Sequence, residues 1–86
     1  MTAAVSYASG PSHKALLGMP IGTLFDDIVA RHGGREAVVS VHQGIRLSYQ
    51  DLAQRVNTLA RAFIASGFSK GDRVGIWSPN NVEWLV

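Results

Sequence analysis

The chain has 86 residues, 47% of them hydrophobic and 16% charged, with a formal net charge of +2. A chain this short builds only a small core, its low charge and high apolar content argue against disorder, and the absence of cysteine excludes disulfides, thiolate metal sites and cysteine nucleophiles. No uninterrupted apolar run exceeds four residues, so no transmembrane helix fits. The pI of about 9.5 reflects eight Lys and Arg against six Asp and Glu, with no basic stripe, so nucleic-acid binding is not expected.

Residues 1–22 are rich in Ala, Ser, Gly and Pro and are read as a loose arm that Leu17 and Met19 tack to the body. The arm lacks both the basic start and the continuous apolar stretch of a secretory signal, and it holds no arginine, so a cytoplasmic location is expected. Ser9-Gly10-Pro11-Ser12-His13-Lys14 has the look of a phosphate loop. It has no convincing strand before it and the wrong glycine spacing, so it is read as part of the arm.

Thr23 is a good N-cap, with Asp26 three residues on, and Leu24, Phe25, Ile28 and Val29 share one helical face. This predicts a helix over about 24–32, closed by Gly33-Gly34 in left-handed conformations. Ala37 to His42 reads as a strand, Gln43-Gly44 as a turn, and Ile45 to Leu47 as the returning strand. Ser48 and Asp51 then form a capping box for the longest helix, about 49–66. Leu52, Val56, Leu59, Ala60, Phe63 and Ile64 line its apolar face, and Gly67 supplies the cap at its end.

Ser69-Lys70-Gly71-Asp72 is a tight turn, and Val74 to Trp77 reads as a strand bounded by Pro79. Asn80 or Asn81 starts another helix, with Glu83 in its first turn, and the chain stops at Val86 inside it. A strand followed by a helix start is the first half of a βαβ unit, and the returning parallel strand is not in the sequence. The expectation is an α/β segment from the N-terminal part of a longer protein.

The residues offer no catalytic, cofactor-binding or metal site. His13, His32 and His42 lack metal-ligand spacing, with His32 suited to the last turn of the first helix and His42 to the outside of the hairpin turn. Asp26, Asp51 and Glu83 are placed for helix capping, and Asp72 for its turn. No serine sits in a Gly-x-Ser-x-Gly elbow. Trp77 and Trp84 are expected in a core or an interface.

Four motifs nevertheless occur in order. They are Arg35-Glu36-Ala37-Val38-Val39, Leu47-Ser48-Tyr49-Gln50-Asp51-Leu52, Gly67-Phe68-Ser69-Lys70-Gly71-Asp72-Arg73-Val74, and Ser78-Pro79-Asn80-Asn81-Val82-Glu83-Trp84. From Thr23 onward the chain resembles the N-terminal part of the adenylate-forming enzymes (the ANL superfamily). Trp77 before the Pro-Asn pair makes it most similar to the medium-chain fatty-acyl-CoA synthetases. Gly75 and Ser48 are mild departures from the family's commoner Ala and Thr.

The resemblance implies that residues 23–86 begin an AMP-binding adenylation domain. The whole protein would be an ATP-dependent ligase, forming an acyl-adenylate and then an acyl-CoA thioester, with Mg²⁺ and CoA as further requirements and a carboxylic acid as substrate. In that family the phosphate loop, the nucleotide-binding residues and the catalytic lysine lie downstream of this segment, so none is assigned here. The segment alone is expected to be inactive scaffold, with the remainder of its own chain as partner and self-association when produced alone. The alternatives are a ligase for an aryl or amino acid and a non-enzymatic interaction module.

Overall fold

The computed structural model describes residues 6, 8 and 10–86. Ser9 and the other residues before Gly10, apart from Ser6 and Ala8, lie outside it, so the expectations for residues 1–9 and for Ser9 of the loop-like motif are not addressed there. The architecture mixes helix and sheet. Helix α1 (Ile21–His32) is followed by strands β1 (Glu36–Ser40) and β2 (Ile45–Ser48), the long helix α2 (Tyr49–Ala65) and a single turn of helix, α3 (Val82–Leu85).

α2 forms as its sequence dictates. The Ser48 hydroxyl accepts the Asp51 N–H at 3.1 Å and the Asp51 carboxylate accepts the Ser48 N–H at 3.2 Å, so the capping box is complete. Such a cap contributes about 1 kcal/mol. At the other end Gly67 takes φ 95, the left-handed conformation that glycine adopts without strain. The Phe68 N–H then reaches the Phe63 carbonyl and the Gly67 N–H the Ile64 carbonyl, both at 3.1 Å. This is a Schellman closure, and its usual apolar contact is present as an edge-on pair of Phe63 and Phe68 with ring centroids 5.3 Å apart.

α1 departs from expectation at both ends. It begins at Ile21 with Pro20 as the flanking residue, whose carbonyl accepts the Leu24 N–H, so Thr23 lies inside the first turn and caps nothing. Asp26 therefore has no cap to complete; its neighbour Asp27 pairs with Arg31 at 2.7 Å. At the C-terminus Gly33 is right-handed (φ −49) and Gly34 is not in the positive-φ region. Gly33 instead continues the right-handed turn and lends its carbonyl to the start of α2. Its carbonyl accepts the Gln50 N–H at 3.0 Å, and a Cβ on it would lie 3.0 Å from the Val29 carbonyl oxygen and 3.8 Å from the Gln50 Cβ. The Arg35 carbonyl likewise accepts the Tyr49 N–H, which fixes the end of α1 against the start of α2.

β1 and β2 pair antiparallel, with Val38 opposite Leu47, Val39 opposite Arg46 and Ser40 opposite Ile45, and an irregularity between Glu36 and Val38. The connection is four residues, Val41 to Gly44, rather than the two-residue turn expected. β1 ends at Ser40, and the turn closes through the Gly44 N–H to the Val41 carbonyl with Gly44 at φ 66. The Gln43 side chain turns inward, and the Ser40 hydroxyl donates to its carbonyl oxygen at 2.8 Å.

The core lies where α2, the hairpin and α3 meet. Leu47, Leu52 and Val82 are buried, with Phe25, Ala37, Val38, Ile45, Val56 and Val86 packed around them. Burial follows only the first half of α2's apolar face. Leu59 and Phe63 are half-buried, whereas Ala60 and Ile64 are exposed. The tacking expected of Leu17 and Met19 is absent, for both are exposed, as is every residue from 10 to 20.

Val74 to Trp77 does not form the expected strand. No strand forms there, and among the described residues no backbone-to-backbone hydrogen bond involves residues 73–80. The reason is geometric: among the described residues the only paired strands are β1 and β2, neither of which pairs with 74–77, and a strand exists only through a partner. The β-favouring residues are present and their partner is not.

Candidate functional site

Two features stand out beyond the core. The first is a polar clamp that holds α3. Gln43, at the hairpin turn, accepts the Val82 N–H at 2.9 Å through its side-chain carbonyl and donates to the Glu83 carboxylate at 2.9 Å through its amide nitrogen. It thereby satisfies one of the free N–H groups at the start of α3. Asn81 supplies the cap, its side-chain oxygen accepting the Trp84 N–H at 3.2 Å and the Ser78 hydroxyl at 3.2 Å. These bonds seat Val82, 2% exposed, in the core.

The hydrogen bond from Gln43, with further help from Glu83's own backbone, holds the Glu83 carboxyl below the usual carboxylate range, and Arg55 and His42 add weaker attraction. A depressed carboxyl stabilises the docked form while it is ionised. Docking of α3 is therefore expected to be constant above the ordinary carboxylate range and to weaken as pH falls from there through the lowered pKa. Trp84 fluorescence against pH, in a Trp77→Phe background, follows the step. Glu83→Gln is expected to abolish it, and an unchanged acid step in that variant would show that another group is responsible.

The second feature is a groove of about 960 Å³ between α2 and residues 74–77, with Leu59, Ala62 and Phe63 on one wall, Val74 and Ile76 on the other, and Arg55 and Glu83 among its polar lining. Trp77 also lines it and is fully exposed, so of the core or interface expected for it the core is not where it lies; Trp84 is half-exposed on α3. Sequence patterning identified both walls and not the groove, since the space between them depends on how 72–78 runs back from α2.

The residues considered as candidates do not gather into a reactive centre. His13 and His42 are exposed, and His32 is half-buried in the last turn of α1. Among the described residues no three His, Asp or Glu side chains are placed to hold a metal ion, and no helix is long and apolar enough to cross a membrane. Asp72 does what its turn requires. Its carboxylate accepts the Ser69 N–H at 2.9 Å, and Gly71 at φ 93 takes the left-handed third position. Ser12 accepts the Lys14 N–H at 3.2 Å in the part of the loop-like motif that is described.

Residues 25–86 match the AMP-binding enzyme family, and the chain belongs to it. Among its curated relatives is a rat medium-chain acyl-CoA ligase, ACSF2, named as mitochondrial, which is 34% identical over 82 residues, covering 95% of this chain and 13% of the relative. The zebrafish protein of the same name is 35% identical over 85 residues, covering 99% of this chain and 14% of the relative. The acyl-CoA ligase sidI of Beauveria bassiana is also 35% identical over 85 residues, 99% of this chain and 15% of the relative. The chain thus spans about one-seventh of the length of these relatives. No solved structure matches it.

The matched residues include every member of the core, from Phe25 to Val86. The motif residues do structural work within it: Ser48 and Asp51 cap α2, Gly67 closes it, Gly71 and Asp72 make the next turn, and Asn81 caps α3.

Proposed function

We propose that residues 23–86 are scaffold at the start of the adenylation domain of an ATP-dependent fatty-acyl-CoA ligase, and that they carry no reacting group of their own. The observation that supports this most is the assignment of the motif residues to caps, turns and core. A segment whose family signature is used up in folding positions a sheet and helices for chemistry located elsewhere. In the whole protein that chemistry would use ATP, Mg²⁺ and CoA and would join a carboxylic acid to CoA through an acyl-adenylate.

The names of the relatives favour a medium-chain fatty acid over an aryl or amino acid. A cytoplasmic location is part of the same proposal, although the ACSF2 relatives are named as mitochondrial; fractionation of cells expressing the tagged protein separates the two. The experiment for the scaffold role is a chimera in which residues 1–86 replace the matching segment of the zebrafish ligase. Octanoate-dependent ATP–pyrophosphate exchange is expected to persist. A chimera that melts cooperatively yet lacks exchange would count against an equivalent scaffold.

A further inference from the structure

We propose that Gln43 is a directional latch on α3. Its side-chain amide holds the Val82 N–H and the Glu83 carboxylate together, so the amide at 43 and the carboxylate at 83 can trade places but cannot both be carboxylates. The device lies wholly within residues 40–83 and is independent of the ligase reading. Its two halves are some 40 residues apart in sequence. The Gln43 Oε1 accepts the Val82 N–H at 2.9 Å and the Ser40 hydroxyl at 2.8 Å, and its Nε2 donates to a Glu83 carboxylate oxygen at 2.9 Å.

Only one orientation of the amide satisfies this set. The Val82 N–H can only donate and the ionised Glu83 carboxylate can only accept, so a reversed amide would oppose donor to donor and acceptor to acceptor. Ser40 reinforces the choice. It is buried, and its hydroxyl directs its hydrogen to the same Oε1. Beneath the latch sits Val82, packed with Leu47 and Leu52 in the core. The amide thus ties the conformation of the hairpin turn to the seating of α3.

The polarity of the pair has a consequence for pH. The charged or titratable groups facing Glu83 are Arg55 from α2 and His42 from the hairpin turn, and the Gln43 hydrogen bond outweighs both in its effect on the carboxyl. Gln43→Glu keeps an acceptor for the Val82 N–H and for Ser40 but sets a second carboxylate against Glu83. Two such groups separate when both are ionised and bond when they share a proton. The pH response of docking is therefore reversed in sign: the parent loosens on acidification, whereas Gln43→Glu tightens.

The test is the hydrogen-exchange protection of the Val82 amide in the 86-residue chain, read by NMR from neutral pH down through the carboxylate range. All proteins carry His42→Asn, so that Glu83 and position 43 alone titrate at the latch. Gln43→Met, similar in shape but without either bond, is expected to lower the protection about tenfold. Gln43→Glu is expected to lower it about tenfold at neutral pH, two charges standing where the 2.9 Å bond was, and to regain it on acidification. Glu83→Gln is expected to give no acid step. Gln43→Glu with Glu83→Gln is expected to restore protection at neutral pH and to bring the acid step back, now carried by position 43. A Gln43→Met protein as protected as the parent would overturn the proposal. So would a Gln43→Glu protein that loosens on acidification, or one whose loss of protection or of fold Glu83→Gln fails to reverse.

Discussion

Leu52→Ala is expected to cost about 2–4 kcal/mol, which at its upper end brings the folded and unfolded states to balance at room temperature. Leu52 is one of only three buried apolar residues among those described, and it packs between the hairpin and α3. Truncating it removes the transfer energy of three carbons and leaves a cavity that a helix pinned by its capping box cannot close. Total stability for a chain this size is about 4–13 kcal/mol, and so small a core places this one at the low end. Val41→Ala is the control. Val41 is 88% exposed in the hairpin turn, so its truncation is expected to change stability by less than about 0.5 kcal/mol. Urea titrations followed by circular dichroism measure both. Equal midpoints would mean that the core lies elsewhere.

Val82→Asp is expected to act more locally and just as strongly. Val82 is the most buried residue, at 2% exposure, and an aspartate there would be a charge without a partner. The cost, about 3 kcal/mol or more, added to the lost burial of the valine side chain, about 1.5 kcal/mol or more, exceeds what the four hydrogen bonds of the Gln43 clamp and the Asn81 cap supply, at about 1 kcal/mol each. α3 and residues 72–81 are therefore expected to leave the body, while α2, closed by its own cap and Schellman turn, stays helical. Limited proteolysis is expected to cut the variant between 72 and 81 with most of the helical signal retained. A variant that resists cleavage there, or one that loses all helix at once, would show that α3 is not a separately docked element.

The parts of this fold that could be read from the residues are those whose determinants are local. α2 is bracketed by Ser48, Asp51 and Gly67, each acting on backbone within a few residues, and the Ser69–Asp72 turn is likewise self-contained. The hairpin was legible as two apolar runs, but its turn was not, because Gln43 is drawn inward by Val82 and Glu83 some 40 residues away. The start of α1 was misplaced for a related reason. Thr23 has the right chemistry for a cap, yet the helix continues past it to Ile21 and takes its first bond from the Pro20 carbonyl. Gly33 has the chemistry of a left-handed cap, yet it stays right-handed, and its carbonyl bonds the Gln50 N–H of α2. Val74 to Trp77 has strand propensity without a strand, since propensity describes a surface ready to pair and pairing needs a second strand. The groove it leaves is a product of tertiary packing, visible in no single stretch of residues.

The central claim is that the family signature in residues 25–86 serves folding and that the chemistry of an acyl-CoA ligase lies outside it. Fatty-acid-dependent ATP–pyrophosphate exchange by the purified 86-residue chain tests this most directly. The chain is expected to give exchange indistinguishable from a blank, with octanoate or without it, in the presence of Mg²⁺. Exchange clearly above blank that depends on the fatty acid would place reacting groups within these residues and contradict the account.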